Sequence, residues 1–241
     1  MKFDSNTIKS LNEEFSNKTP QNILEWCIKE LNQNIALASS FQAQGMVLID
    51  MLMRIDNNAR IFTIDTGRLN QQTYDVLDVV RSKYNNKIEV LFPDRNEVED
   101  MVKEHGINLF YKGVENRLMC CQVRKANPLN NYLKTVDGWI TSIRREQTAA
   151  RSEAEKFELD TLHGNILKVN PIVDWSEEMV WDYINKNKVP YNKLHDIGYP
   201  SIGCEPCTRA VKEGEDPRSG RWWWETDSAK ECGIHFDHNS N

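Results

Sequence analysis

Six cysteines occur in the 241 residues, and their placement is not that of a scattered core residue. Cys120 and Cys121 are adjacent in RLMCCQVRK, Cys204 and Cys207 frame GCEPC, and Cys232 lies close to the C-terminus in ECGIH. In a cytosolic chain such cysteines suit metal binding or catalysis better than disulfides. Four thiolates from two pairs can hold a tetrahedral zinc or an iron–sulfur cluster. Zinc sites space paired ligands by two to four residues, so that both sulfurs reach one ion. Neighbouring cysteines meet that demand poorly, whereas a cubane offers a separate iron to each thiolate. The pattern therefore favours a 4Fe–4S cluster over zinc. Cys27, in NILEWCIKELN, follows the helical period of Leu24, Ile28 and Leu31 and reads as a core residue. Cys232 adds little to packing at a polar chain end, and His235, three residues on, is spaced to favour its thiolate.

Cations gather beside these sulfurs. The chain is acidic, with a net charge of −6, which argues against a general nucleic-acid coat. Yet Arg124 and Lys125, Arg144 and Arg145, and then Arg209, Arg218 and Arg221 all stand near unusual features. An acidic chain that concentrates cations locally is suited to a small anion. Lys125, four residues past Cys121, could screen an anionic cluster and bridge it to a bound oxyanion. In GEDPRSGRWWWE, Arg218 and Arg221 offer two guanidinium forks of the shape that sulfate and phosphate oxygens accept. The three tryptophans after them are either core anchors or a cover over a bound base. In ASSFQAQG, Ser39 and Ser40 sit where a strand passes into a helix, and free N–H groups and hydroxyls there make an anion site. Gly45 permits a tight start to that helix. No G-x-x-x-x-G-K-[ST] loop occurs.

The elements that must position these groups alternate between strand and helix. NIALASS, ARIFTIDT, KIEVLFP and GWITSIRRE are predicted strands, separated by the helical stretches MVLIDMLMRI, GRLNQQTYDVLDVVRSKY and NEVEDMVKEHG. Gly106 is placed to close the last of these, and Ser176 to cap the helix that ends before Pro190. This is the βα pattern of a parallel sheet, in which ligands bind at the carboxyl ends of the strands. Ser39 and Ser40, Asp65-Thr66-Gly67-Arg68 and Arg144-Arg145-Glu146 all fall at such ends and are expected to line one crevice. No apolar run is long enough to span a membrane, and the polar N-terminus lacks the apolar stretch of a signal peptide, so the expected location is the cytoplasm.

Taken in order, SSFQAQG, DTGRL, CCQVRK, RREQ, GCEPCTR, GEDPRSGRWWWE and ECGIH resemble the assimilatory sulfonucleotide reductases, which act on adenosine 5′-phosphosulfate (APS) or its 3′-phosphorylated form (PAPS). The resemblance runs from about Asn34 to Asp237. It implies an α/β fold with a parallel sheet of the adenine-nucleotide α-hydrolase-like (PP-loop) type. It also implies a single domain over 1–241, with a mobile catalytic tail from about 222 to 241. Cys120, Cys121, Cys204 and Cys207 would hold the 4Fe–4S cluster, and Cys232 would be the nucleophile, reduced by thioredoxin. Ser39, Ser40, Lys125, Arg144, Arg145, Arg218, Arg221 and His235 would contact the substrate. The implied reaction is reduction of APS to sulfite and AMP. Relatives restricted to PAPS usually lack the four cluster cysteines, which favours APS here, although some cluster-bearing relatives accept both. The Ser-Gly-Gly-x-Asp-Ser pattern of ATP pyrophosphatases is absent, which counts against a thiotransferase or ligase of the same fold. A non-catalytic redox sensor would leave Cys232 and the arginines unused. A homo-oligomer is expected, though no motif specifies one, and no nucleic-acid or membrane partner is.

Overall fold

The computed structural model describes residues 3–225, so Cys232 and His235 lie outside the described residues. In chain order the elements are α1 (Ser5–Glu14), α2 (Pro20–Leu31), β1 (Ile35–Ala38), α3 (Ala43–Ile55), β2 (Arg60–Ile64), α4 (Gln71–Tyr84) and β3 (Glu89–Leu91). They continue with α5 (Arg95–His105), α6 (Val114–Cys121), α7 (Asn127–Leu133), β4 (Gly138–Ile140), β5 (Phe157–Asp160), β6 (Ile166–Val169) and α8 (Glu177–Asn187). Packing divides them into two compact units. Among the described residues, the first comprises 3–63 with Asp75–Glu89 and Leu133–Asn192; the second comprises Ile64–Tyr74, Val90–Tyr132 and 193–225.

The sheet belongs mainly to the first unit and runs in the order β3-β2-β1-β4-β6-β5. β1 pairs in parallel with β2 on one side and β4 on the other, β4 pairs in parallel with β6, and β5 closes the edge antiparallel to β6. The chain thus lays β1, β2 and β3 outward, then returns to set β4 on the opposite flank of β1. That reversal leaves a switch point beside the carboxyl ends of β1 and β4, where open parallel sheets take their ligands. The fold is the parallel-sheet adenine-nucleotide α-hydrolase-like type that the sequence suggests.

The helices form for local reasons. Thr19 and Asn22 make a reciprocal capping box at the start of α2, with Pro20 at its first position. Asp94 accepts from the Asn96 and Glu97 amides at α5, and Ser176 accepts from the Met179 amide at α8. Gly106 ends α5 at φ 90°, a conformation that costs glycine little. α3 is apolar almost all round, with Met46–Met53 entirely buried, as a helix covered on every side must be.

Its exception is Asp50, 1% exposed, which accepts from Tyr84 Oη at 2.7 Å, Tyr183 Oη at 2.9 Å and Arg54 Nε at 2.7 Å. One carboxylate therefore pins α3, α4 and α8 together. Asp50→Ala would leave two tyrosine hydroxyls without their acceptor, and is expected to cost about 2–4 kcal/mol of stability. The shift of the urea unfolding midpoint measures it, and an unchanged midpoint would show that the hydroxyls find water instead. Cys27 is fully buried in the same core, as its helical period predicts. Among the described residues no helix is long and apolar enough to cross a membrane.

Candidate active site

In the first unit, β1 ends at Ala38 and α3 begins five residues later. Ser39 is buried, and its Oγ accepts from the Phe41 amide at 3.1 Å, folding the loop back on itself. Phe41 is fully buried at φ 55°, a left-handed conformation that a bulky side chain adopts only when its surroundings enforce it. Gly45 explains the tightness of the loop, because a Cβ there would lie 2.8 Å from Ser39 Oγ. Ser40 is exposed and accepts from Gln42 Nε2 at 3.0 Å. Beyond β4, Arg144 donates to Glu146 and to the Trp175 carbonyl. Arg145 donates to the Ala154 carbonyl and pairs with Asp174. In this state both guanidiniums hold their own loop. Arg144 Nε is buried without a hydrogen-bond partner, a donor that neither Glu146 nor the Trp175 carbonyl takes.

The second unit carries the sulfurs. DTGR forms two nested turns: Asp65 Oδ1 accepts from the Gly67 amide at 2.8 Å, and Thr66 Oγ1 accepts from the Arg68 amide at 3.2 Å. Gly67 sits at φ 70°, and Arg124 Nη1 donates to the Thr66 carbonyl at 2.7 Å, bracing the turn. Thr66 Oγ1 thereby rests 3.3 Å from Cys204 Sγ. The CEPC segment docks on the same turn, with the Glu205 amide donating to the Arg68 carbonyl at 2.8 Å.

Cys120 and Cys121 end α6, and Gln122–Ala126 continue it as a π-helical turn in which the Asn127 amide reaches back to the Gln122 carbonyl. Pro128 supplies a reason: it has no N–H for the Arg124 carbonyl, so the ordinary ladder cannot pass through this point. The wide turn carries Arg124 and Lys125. Trp222 is buried and its amide donates to the Cys207 carbonyl at 3.0 Å, while Trp223 is half exposed and Trp224 stacks edge-on against Tyr111. Trp222 is therefore a core anchor.

Cys120, Cys121, Cys204 and Cys207 line one cavity, together with Arg68, Phe110, Arg117, Arg124, Lys125, Pro206 and Trp222. Its empty volume is about 360 Å³, open solvent included. Burial pushes the Cys207 thiol up to about 12. It also raises Cys120, against the opposing pull of Arg124. Burial thus favours the protonated thiol at Cys120 and Cys207. Among the described residues, no three His, Cys, Asp or Glu side chains are placed to share one metal ion. The donor set nonetheless fits a multi-iron anionic group: four sulfurs face one cavity, and four cations line it to offset the charge of the thiolates.

Arg221, expected at the substrate, is buried against Gly203, where a Cβ would collide with its guanidinium, and lies over the Trp222 ring at 4.6 Å. Arg218 is partly exposed on the turn that precedes it. Of the two further arginines in the lining, Arg68 was expected at a strand end and Arg117 was not. DTGR marks the first as a strand-end arginine, whereas nothing local marks the second.

Residues 34–210 match the phosphoadenosine phosphosulfate reductase domain, and the chain belongs to that family. Within it, the chain is 46% identical over 209 residues to the adenosine 5′-phosphosulfate reductase of Burkholderia cepacia, covering 87% of this chain and 83% of that protein. It is 45% identical over 213 residues to the adenosine 5′-phosphosulfate reductase of Allochromatium vinosum, covering 88% and 82%. A crystal structure of phosphoadenylyl-sulfate (PAPS) reductase from Candida auris, in a phosphate complex, superposes with a TM-score of 0.75 at 28% identity, covering 88% of this chain and 99% of that one.

Proposed function

We propose that this protein is a cytoplasmic, thioredoxin-dependent APS reductase of sulfate assimilation. The observation that carries the reading is the cavity in which two cysteine pairs meet four cations, in a chain of the reductase family. Cys120, Cys121, Cys204 and Cys207 would hold a 4Fe–4S cluster. When bound, it would supply an anionic centre that fixes Lys125 and the neighbouring arginines by charge. Ser39, Ser40, Lys125, Arg144, Arg145, Arg218 and Arg221 would take the sulfate and phosphate oxygens, and His235 would favour the Cys232 thiolate.

The reaction balances through one cysteine. The Cys232 thiolate attacks the sulfur of APS, the bond from that sulfur to the AMP oxygen breaks, and AMP leaves with the electron pair. The product is an enzyme thiosulfonate, Cys232-S-SO3⁻. A thioredoxin thiolate attacks the Cys232 sulfur and expels sulfite, and the second thioredoxin thiol resolves the mixed disulfide. The two electrons come from the thioredoxin dithiol.

Anaerobic assays with APS, PAPS and ATP in parallel test the reading. Sulfite and AMP are expected from APS with reduced thioredoxin. Pyrophosphate release from ATP without any sulfite would overturn it, and equal rates with PAPS would widen the substrate class. Arg218→Ala is expected to raise KM for APS about tenfold or more, as loss of a charge-assisted bond of roughly 1.5–3 kcal/mol implies. Iron content and melting temperature should stay as in the parent. Unchanged kinetics would return Arg218 to the solvated surface.

A further inference from the structure

Arg117 is among the largest fully buried side chains, at 2% exposure. It stands one helical turn before Cys120 on α6, and it lines the four-cysteine cavity. Its Nε and Nη2 donate to the two carboxylate oxygens of Glu225 at 2.9 and 3.0 Å, and the guanidinium lies over the Trp222 ring at 4.6 Å. The Glu225 side chain is 4% exposed, so this is a buried, bidentate ion pair. Glu225 also lies seven residues before Cys232 in the chain. One nitrogen is unaccounted for. Arg117 Nη1 is buried without an acceptor, which costs free energy unless something in the cavity accepts from it.

We propose that Arg117 is a positioning residue that couples the four-cysteine cavity to the chain leading to Cys232. Nε and Nη2 hold Glu225, and Nη1 donates to the anionic group that the cavity binds. This rests on the cluster reading. A planar guanidinium can serve two anions along different edges, whereas a lysine ammonium in its place cannot reproduce both arrangements. Filling the cavity then strengthens the grip on Glu225, and by reciprocity the ion pair strengthens retention of the group.

The test uses anaerobically purified protein, half of it stripped of iron with a chelator and checked for folding by circular dichroism. The readout is the iodoacetamide alkylation rate of Cys232 alone, followed by mass spectrometry of the C-terminal peptide. In the parent protein, iron removal should speed alkylation at least about fivefold, the lower range for coupling between sites. In Arg117→Lys the two rates should converge, and iron should be lost to chelator faster than from the parent. Glu225→Gln provides the same comparison should the lysine variant fail to fold: its rates should also converge. A parent protein whose alkylation ignores iron, or variants that keep the parent's ratio, would overturn the role of Arg117 while leaving the cluster standing. A parent protein that carries neither iron nor sulfide would overturn the cluster reading itself.

Discussion

Replacing Cys232 by serine is expected to abolish sulfite release while leaving APS binding and iron content as in the parent. A serine hydroxyl is almost wholly protonated at neutral pH and is a far weaker nucleophile toward sulfur than a thiolate. The same variant should fail to form the covalent species. Parent protein incubated with APS but no thioredoxin should gain a sulfite adduct on the C-terminal peptide, and AMP should appear in equal amount. Subsequent addition of reduced thioredoxin should release the sulfite. If Cys232→Ser turns over at the parent rate, the nucleophile lies elsewhere, and the other cysteines become the candidates. Cys27 is a poor one, because full burial drives its thiol pKa far up.

Protein purified without oxygen should be brown and carry about four irons and four acid-labile sulfides per chain. Cys207→Ser should lose most of both and fold less stably, since Cys204 and Cys207 pack with Met101, Leu109, Phe110 and Trp222 in one buried cluster. Cys27→Ser, remote from the cavity in sequence, should keep its iron even if core packing suffers. Colourless parent protein with one zinc per chain would overturn the assignment. The raised thiols sharpen the pH dependence of loading. Binding must displace a proton from Cys207, whose pKa stands at about 12, so reconstitution with iron and sulfide should improve as pH rises from the acid side.

How much of this was legible depended on the range of each interaction. Helices with local signals were readable: Ser176 and Gly106 sit where capping chemistry requires, and Gly45 lies where a side chain would strike Ser39. β5 and β6 escaped notice because they follow one another with no helix between them, outside the strand–helix alternation that marked the other strands. Their register is fixed by the pairing of Glu158 with Lys168 and the ion pair between them at 2.8 Å, neither of which a linear reading shows. On α4, Val76 and Val80 are buried whereas Val79, equally apolar, is 49% exposed. The paired cysteines announced themselves through chemistry that few other roles demand. Arg117 did not, since its partner is 108 residues away and its meaning depends on a carboxylate brought beside it by folding. Arg145 shows the reverse: its neighbours in sequence suggest a ligand contact, and folding sets it beside Asp174.

The π-helical turn at Gln122–Ala126 has a consequence for chain length. It amounts to one surplus residue threaded into an otherwise continuous helix from α6 to α7. Deleting Gln122 or Val123 would remove that surplus residue, while Pro128 would still leave one carbonyl of the ladder without its donor. Every residue on one side of the cut would, however, turn by about 100° relative to the other side, the angular step of an α-helix. Arg124 and Lys125 could no longer face the sulfurs of Cys120 and Cys121. At this point the count of residues is constrained more tightly than their identities. A substitution can be absorbed, whereas a frame-preserving loss of one codon would dismantle the site.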